Sequence, residues 1–118
     1  MRDFLASRVV DGRQQIRTSI TFHEYGRLVM WPYGYTYTDV PADMTTDDRS
    51  ALMTIGRHMA ATNGYHPEQA SDLYLTSGTT RDYLYGTYRT FAYTFELSAK
   101  DYPDDSLIAA IHRAIGNR

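Results

Sequence analysis

The groups in this 118-residue chain that can hold a metal or relay a proton are four histidines and 14 acidic residues. Cysteine is absent, so disulfides, thiolate zinc sites and a thiol nucleophile are excluded. His23-Glu24 begins like the His-Glu-x-x-His zinc motif, but position 27 is Arg27, and His23 closes a strand-like rather than a helical segment. No His-x-x-Glu is found at the other three histidines either, since Ala61, Gln69 and Ile115 follow His58, His66 and His112 at that spacing. His58 and His112 fall on helical segments among polar neighbours, and His66 precedes Pro67, which fits structural or surface roles. His23 stands apart because it ends the β-branched run Ser19-Ile20-Thr21-Phe22. Among the carboxylates, Glu96 lies near the end of the run 90–97. There Phe91, Tyr93 and Phe95 alternate on one face, and Glu96 shares the other with Ala92 and Thr94. A carboxylate held at a strand end can relay a proton, whereas the same residue on an edge strand is a solvated acid. Both readings stand on the residues alone.

These groups have to be positioned by regular elements. Strands are predicted over 16–23, 27–31 and 90–97 from β-branched and aromatic content, with alternation in the first and last and a short apolar run ended by Pro32 in the second. A helix over 3–11 is predicted from Phe4, Leu5, Val9 and Val10, with Gly12 as its stop. The clearest helix spans 45–62. Thr45 or Thr46 caps it, Asp47 and Asp48 occupy its first turn, Leu52, Ile55 and Met59 form its apolar face, and Asn63-Gly64 supplies a left-handed exit. Residues 36–43 and 65–80 read as loops, the second long enough to be functional, followed by a helical turn around 82–88. A final helix over 104–115 opens at Pro103-Asp104-Asp105 and carries Leu107, Ile108, Ile111 and Ile115. The mixture of helices and strands places the chain in the α/β class.

Composition bounds the partners. Apolar residues are 42% and charged residues 22%, the balance of a globular chain and not of a disordered one. Lys plus Arg is 12 against 14 acids, a net charge of −2, so no basic excess exists to track a phosphate backbone and no nucleic-acid partner is expected. No run approaches the roughly 18 apolar residues of a membrane helix, and no membrane partner is expected. Met1-Arg2-Asp3-Phe4-Leu5 does not lead a basic stretch into an apolar core, so no signal peptide is visible. Eleven tyrosines suit an amphipathic cleft or a wet interface, because each joins an apolar ring to a hydrogen-bonding tip.

Ser19-Ile20-Thr21-Phe22-His23-x-Tyr25-x-x-Leu28-x-x-x-Pro32-Tyr33-Gly34-Tyr35 resembles the third zinc-ligand segment of the zinc carboxypeptidases related to carboxypeptidases A, B and T. A second segment agrees: that family places a mobile tyrosine 22 residues before a catalytic glutamate, the separation of Tyr74 and Glu96 here. The flanking frames Asp72-Leu73-Tyr74-Leu75-Thr76-Ser77-Gly78 and Tyr93-Thr94-Phe95-Glu96-Leu97 match as well.

The resemblance implies a zinc metallocarboxypeptidase that releases C-terminal amino acids from peptides, with a peptide or protein C-terminus as substrate and an extracellular or secreted location. It implies part of a three-layer α/β/α mixed-sheet domain. It makes His23 a zinc ligand, Glu96 the general base, Tyr74 the loop tyrosine that closes over a bound peptide, and Tyr25 a residue of the next subsite. Arg81, seven after Tyr74, falls at the base of the pocket for the terminal side chain, among Met30, Gly34, Leu73, Thr76 and Thr94. No carboxylate is expected to neutralise it from that set, which points to acidic termini; pairing with Asp82, Glu68 or Asp72 is the alternative. The 16–23 and 90–97 strands are expected to be neighbours, with His23 and Glu96 at one sheet end and cis bonds at Glu24–Tyr25 and Pro32–Tyr33.

Departures from the family pattern bound the reading. Glu24 replaces the small residue usual after the ligand histidine. The family's His-x-x-Glu ligand pair and its substrate-carboxylate arginine lie upstream of this segment, and the Asn117-Arg118 pair is not that arginine's position. Residues 1–118 are therefore expected to be the C-terminal portion of the catalytic domain, with the N-terminal portion absent and the isolated segment inactive. The alternatives are a non-catalytic remnant or a tyrosine-rich binding module without bound zinc.

Overall fold

The computed structural model describes residues 1–116, and the Asn117-Arg118 pair lies outside the described residues. The chain opens with helix α1 (Arg2–Ser7) and a small hairpin of β1 (Val9–Val10) and β2 (Arg13–Gln14). The helix expected over 3–11 thus ends four residues early. Asp11 and Gly12 both take left-handed backbone, φ 51° and 72°, which is the turn an Asp-Gly pair favours between antiparallel strands.

The main sheet is built from β3 (Thr18–His23), β4 (Leu28–Trp31), β5 (His66–Gln69) and β6 (Phe91–Glu96), in the order β3-β6-β4-β5. β3 runs parallel to β6, β4 antiparallel to β6, and β5 parallel to β4, which makes the sheet mixed. The peptide bonds Glu24–Tyr25 and Pro32–Tyr33 are cis, as the resemblance implies. β5 corrects the expectation of a continuous loop over 65–80. His66-Pro67-Glu68-Gln69 carries no apolar alternation and contains a proline, but an edge strand tolerates both, because one side of it needs no ladder partner. The same stretch continues into a short helix, α3 (Ala70–Leu73).

Alternation along β6 divides the core. Tyr93 and Phe95 join Val29, Trp31 and Leu52 in the main buried cluster, under helix α2 (Thr46–Asn63). On the other side Ala92 packs with Leu5 of α1 and Leu84 of α4 (Thr80–Tyr88). Helices therefore cover both faces of the sheet, the α/β/α arrangement that the resemblance implies.

α2 is capped as expected, with the Thr45 hydroxyl accepting from Asp48 N at 3.0 Å and Gly64 leaving in left-handed backbone at φ 72°. Its buried stripe is Leu52, Gly56 and Ala60 rather than Leu52, Ile55 and Met59, and Ile55 is exposed. Gly56 sets this rotation: a Cβ there would lie 2.6 Å from Trp31 Cε3, so only a glycine admits the indole face. The last described elements are a 3-10 turn (Asp105–Leu107) and helix α5 (Ile108–Ile115). Among the described residues no helix is long and apolar enough to cross a membrane.

Candidate active site

His23 and Glu96 are register partners at the shared C-terminal end of the parallel pair β3 and β6. Strand alternation then turns Glu96, Thr94 and Met30 to the face away from α2, and Met30 is the register partner of Thr94. On that face lies a cleft of about 300 Å³, walled by His23, Glu96, Thr94, Met30, Tyr74 and Arg81. Parallel-sheet enzymes place ligands at this carboxyl end, where loops leave the strands.

Glu96 is not the solvated edge acid of the alternative reading. It sits on an interior strand, is 8% exposed, and its Oε2 has no hydrogen-bond partner among the described residues. Burial raises its pKa above the ordinary carboxylate value; His23 and Arg81 oppose that shift and Glu24 adds to it. A buried carboxylate with a free oxygen and a raised pKa is suited to receiving and returning a proton.

Arg81 enters from the first turn of α4. The Thr79 hydroxyl caps that helix by accepting from Asp82 N at 3.2 Å, and Thr79-Thr80-Arg81-Asp82 then puts Arg81 and Asp82 side by side. Both are buried. Arg81 Nε donates to Asp82 Oδ1 at 3.0 Å, while Nη1 and Nη2 donate to the Thr94 and Thr79 hydroxyls at 3.2 and 3.4 Å. Asp82 Oδ2 accepts from Gly34 N at 2.9 Å. The expectation of a cation without a carboxylate partner is corrected here: the adjacent Asp82 is that partner, because the helical first turn aims both side chains at one wall. Pairing does not turn Arg81 away, for it still lines the cleft. Burial lowers its pKa, and Asp82 is the main opposing influence. Gly34 leaves room for the guanidinium, since a Cβ there would lie 2.6 Å from Arg81 Nη2.

The other sequence-derived residues divide. Tyr74 is 61% exposed and stands at the cleft wall beside Leu73 and Thr76. Tyr25 is 54% exposed on the turn after His23 and does not line the cleft. Thr21, Thr79 and Thr80 line it without having been singled out in sequence. The Thr-x-x-Asp pattern at Thr79–Asp82 is the signal that would have found the capping threonine.

A catalytic zinc takes three protein ligands. His23 offers one imidazole, but among the described residues no group of three His, Cys, Asp or Glu is placed to hold a metal ion. The residues present do not by themselves make a zinc site.

A family model described as Peptidase_M14, zinc carboxypeptidase, matches residues 1–114. A zinc carboxypeptidase of Saccharothrix mutabilis subsp. capreolus is 46% identical over 111 residues, covering 90% of this chain and 26% of that protein. Carboxypeptidase O of Bos taurus is 31% identical over 100 residues, covering 79% of this chain and 25% of that protein. Among solved structures, carboxypeptidase A from Helicoverpa armigera matches with a TM-score of 0.76 at 20% identity, over 97% of this chain and 30% of that one. Bovine thrombin-activatable fibrinolysis inhibitor, solved in complex with tick carboxypeptidase inhibitor, matches at 0.72 and 22% identity, over 97% of this chain and 41% of that one. At such identities these two likenesses bear on the fold alone. The chain spans about a quarter of the length of the curated relatives it matches. With the family model aligned from residue 1 to residue 114, the chain belongs to the zinc carboxypeptidase family.

Proposed function

We propose that this chain is the C-terminal portion of a metallocarboxypeptidase catalytic domain that removes the last residue of peptides. The observation that carries the reading is the pairing of His23 with Glu96 at one sheet end, above a cleft bounded by Tyr74 and Arg81. His23 contributes one ligand of a zinc site whose His-x-x-Glu pair is supplied by polypeptide corresponding to the relatives' preceding length. Glu96 accepts the proton of the water that attacks the scissile carbonyl and returns it to the departing amine. Tyr74, exposed on its loop, closes over the bound terminus and excludes water. Tyr25 meets the preceding residue of the peptide, outside the cleft.

The terminal side chain enters between Met30, Thr94 and Arg81, with Gly34 behind the guanidinium. Asp82 occupies the Nε edge of Arg81, and the Nη1 and Nη2 groups point to threonine hydroxyls that a substrate carboxylate can replace. Arginine matches a carboxylate through two parallel hydrogen bonds, so a terminal Glu or Asp is the favoured substrate class.

The second reading, a non-catalytic remnant without zinc, is favoured for the chain by itself by the missing three-ligand group among the described residues. The deciding experiment joins this chain to the preceding part of the Saccharothrix relative and assays peptides that differ only in the last residue. Release of terminal Glu ahead of Phe and Lys, with Arg81→Ile shifting preference toward Phe, is the expected result. No release of any terminal residue would reject the peptidase reading, and a preference for Phe or Lys would reject the acidic pocket alone.

A further inference from the structure

A second cavity, of about 350 Å³, lies at the same end of the sheet as the cleft and shares no lining residue with it. One wall is Tyr65 and Leu97. The Tyr65 hydroxyl donates to the Leu97 carbonyl oxygen at 2.5 Å, which fixes the ring, and Leu97 packs on the main apolar cluster. The facing wall is α5 and its leading turn, through Leu107, Ala110, Ile111 and Ala114. That helix has no buried residue, so its apolar side borders the cavity without filling it.

Two cations complete the lining. Arg27 and Lys100 are both exposed; among the described residues neither has an ion-pair partner and no acidic side chain lines the cavity. Their loops are tied together. Gly26 N donates to the Ser98 carbonyl oxygen at 2.7 Å, and the Ser98 hydroxyl donates to the Lys100 carbonyl oxygen. On the other side the Arg27 carbonyl oxygen accepts from His66 N at 2.8 Å. The backbone under both charges is thus held before any ligand arrives, which lowers the ordering cost of binding.

We propose that this cavity binds a small carboxylate with an apolar tail, the tail lying between Leu97 and Ile111 and the carboxylate meeting Arg27 and Lys100. Binding pockets of this size are mostly apolar with a few placed polar groups, and among the described residues that line this one the charged side chains, Arg27 and Lys100, are both positive. An arginine fork and an ammonium on exposed side chains match one carboxylate at the mouth, where it keeps part of its hydration while the tail leaves water.

The test is titration of the 118-residue chain with butanoate, hexanoate and octanoate, followed by amide NMR. Octanoate should bind saturably, with shifts at Tyr65, Leu97 and Ile111, and each methylene should tighten binding about three- to fourfold. Arg27→Asn, which tolerates the left-handed backbone at φ 56°, and Lys100→Gln should each weaken octanoate about tenfold. Ala110→Phe should fill the cavity and abolish binding while leaving the spectrum of a folded chain. Octan-1-ol should bind at least about tenfold more weakly than octanoate. The proposal is overturned if octanoate does not saturate at millimolar concentration, if its shifts map elsewhere, if octan-1-ol binds equally well, or if the Ala110→Phe chain binds unchanged.

Discussion

Asp82→Asn removes the negative partner of a buried guanidinium and leaves the shape of the side chain almost unchanged. In the native chain Arg81 and Asp82 side chains are 3% and 9% exposed and 3.0 Å apart, so neither charge is screened by bulk water. Breaking one side of such a pair costs roughly 3–5 kcal/mol, because the remaining charge stays buried without compensation. Asparagine keeps an oxygen that can still accept from Gly34 N, a bond at 2.9 Å in the native chain, so the loss belongs mainly to the pair. The Thr94 and Thr79 hydroxyls continue to accept from Nη1 and Nη2, which puts the expected cost at the lower end, about 3 kcal/mol. Urea unfolding should read this as a lower midpoint at unchanged slope. The double variant Arg81→Met with Asp82→Asn should recover most of the loss, since an uncharged pair needs no compensation. A cost below about 1 kcal/mol for Asp82→Asn, or no recovery in the double variant, would refute the claim that Arg81 is held as a desolvated cation.

Three further outcomes follow from the packing. Gly56→Ala gains about 1 kcal/mol of helix propensity but drives a methyl to 2.6 Å from the Trp31 ring, and overpacking of about 1–3 kcal/mol wins; calorimetry should show a lower Tm. Thr79→Ala should cost about 1 kcal/mol through the lost cap on Asp82 N, measurable by urea unfolding, while Thr79→Ser should cost less than half of that. Glu68 is held by burial above the ordinary carboxylate pKa; His66 opposes that shift and Asp72 adds to it. The folded state therefore binds the Glu68 proton more tightly than the unfolded state. Stability should fall as pH rises from the unfolded value of about 4.3 through the raised folded value. Glu68→Gln should flatten that part of the stability–pH curve.

Where local chemistry alone fixes an element, it was legible in the chain. α2 is marked by Thr45, by Asp47 and Asp48 in its first turn and by Asn63-Gly64 at its exit, all acting within a turn or two. β6 is marked by alternating aromatics that need one buried face. Which residues of α2 point inward was not legible, because Gly56 reads as a helix weakness until Trp31 is seen against it. β5 was hidden for a related reason: an edge strand, paired among the described residues with β4 alone, needs neither apolar alternation nor every amide. The apolar residues of β3 mislead in the opposite sense. Ile20 and Phe22 are 43% and 52% exposed, while Thr21 on the other face hydrogen-bonds with Thr94 at 3.2 Å. In the site, the spacing of Tyr74 and Glu96 and the frame around His23 were visible through resemblance. The Arg81–Asp82 pair depended on whether α4 began at Thr80 or Asp82, a difference of two residues that decides which side chains share a wall.

On the proposed function, His23 holds the metal and Glu96 moves the proton in the assembled domain. The most direct test of that assignment measures zinc content and peptide hydrolysis together, in this chain joined to the preceding part of the Saccharothrix relative, for the native sequence, His23→Ala and Glu96→Gln. The native protein should hold one zinc and release terminal residues. His23→Ala should lose the metal, and Glu96→Gln should keep it while hydrolysis falls about 10²- to 10⁴-fold. Full zinc in His23→Ala would remove His23 from the metal site, and undiminished hydrolysis in Glu96→Gln would remove Glu96 from the proton transfer.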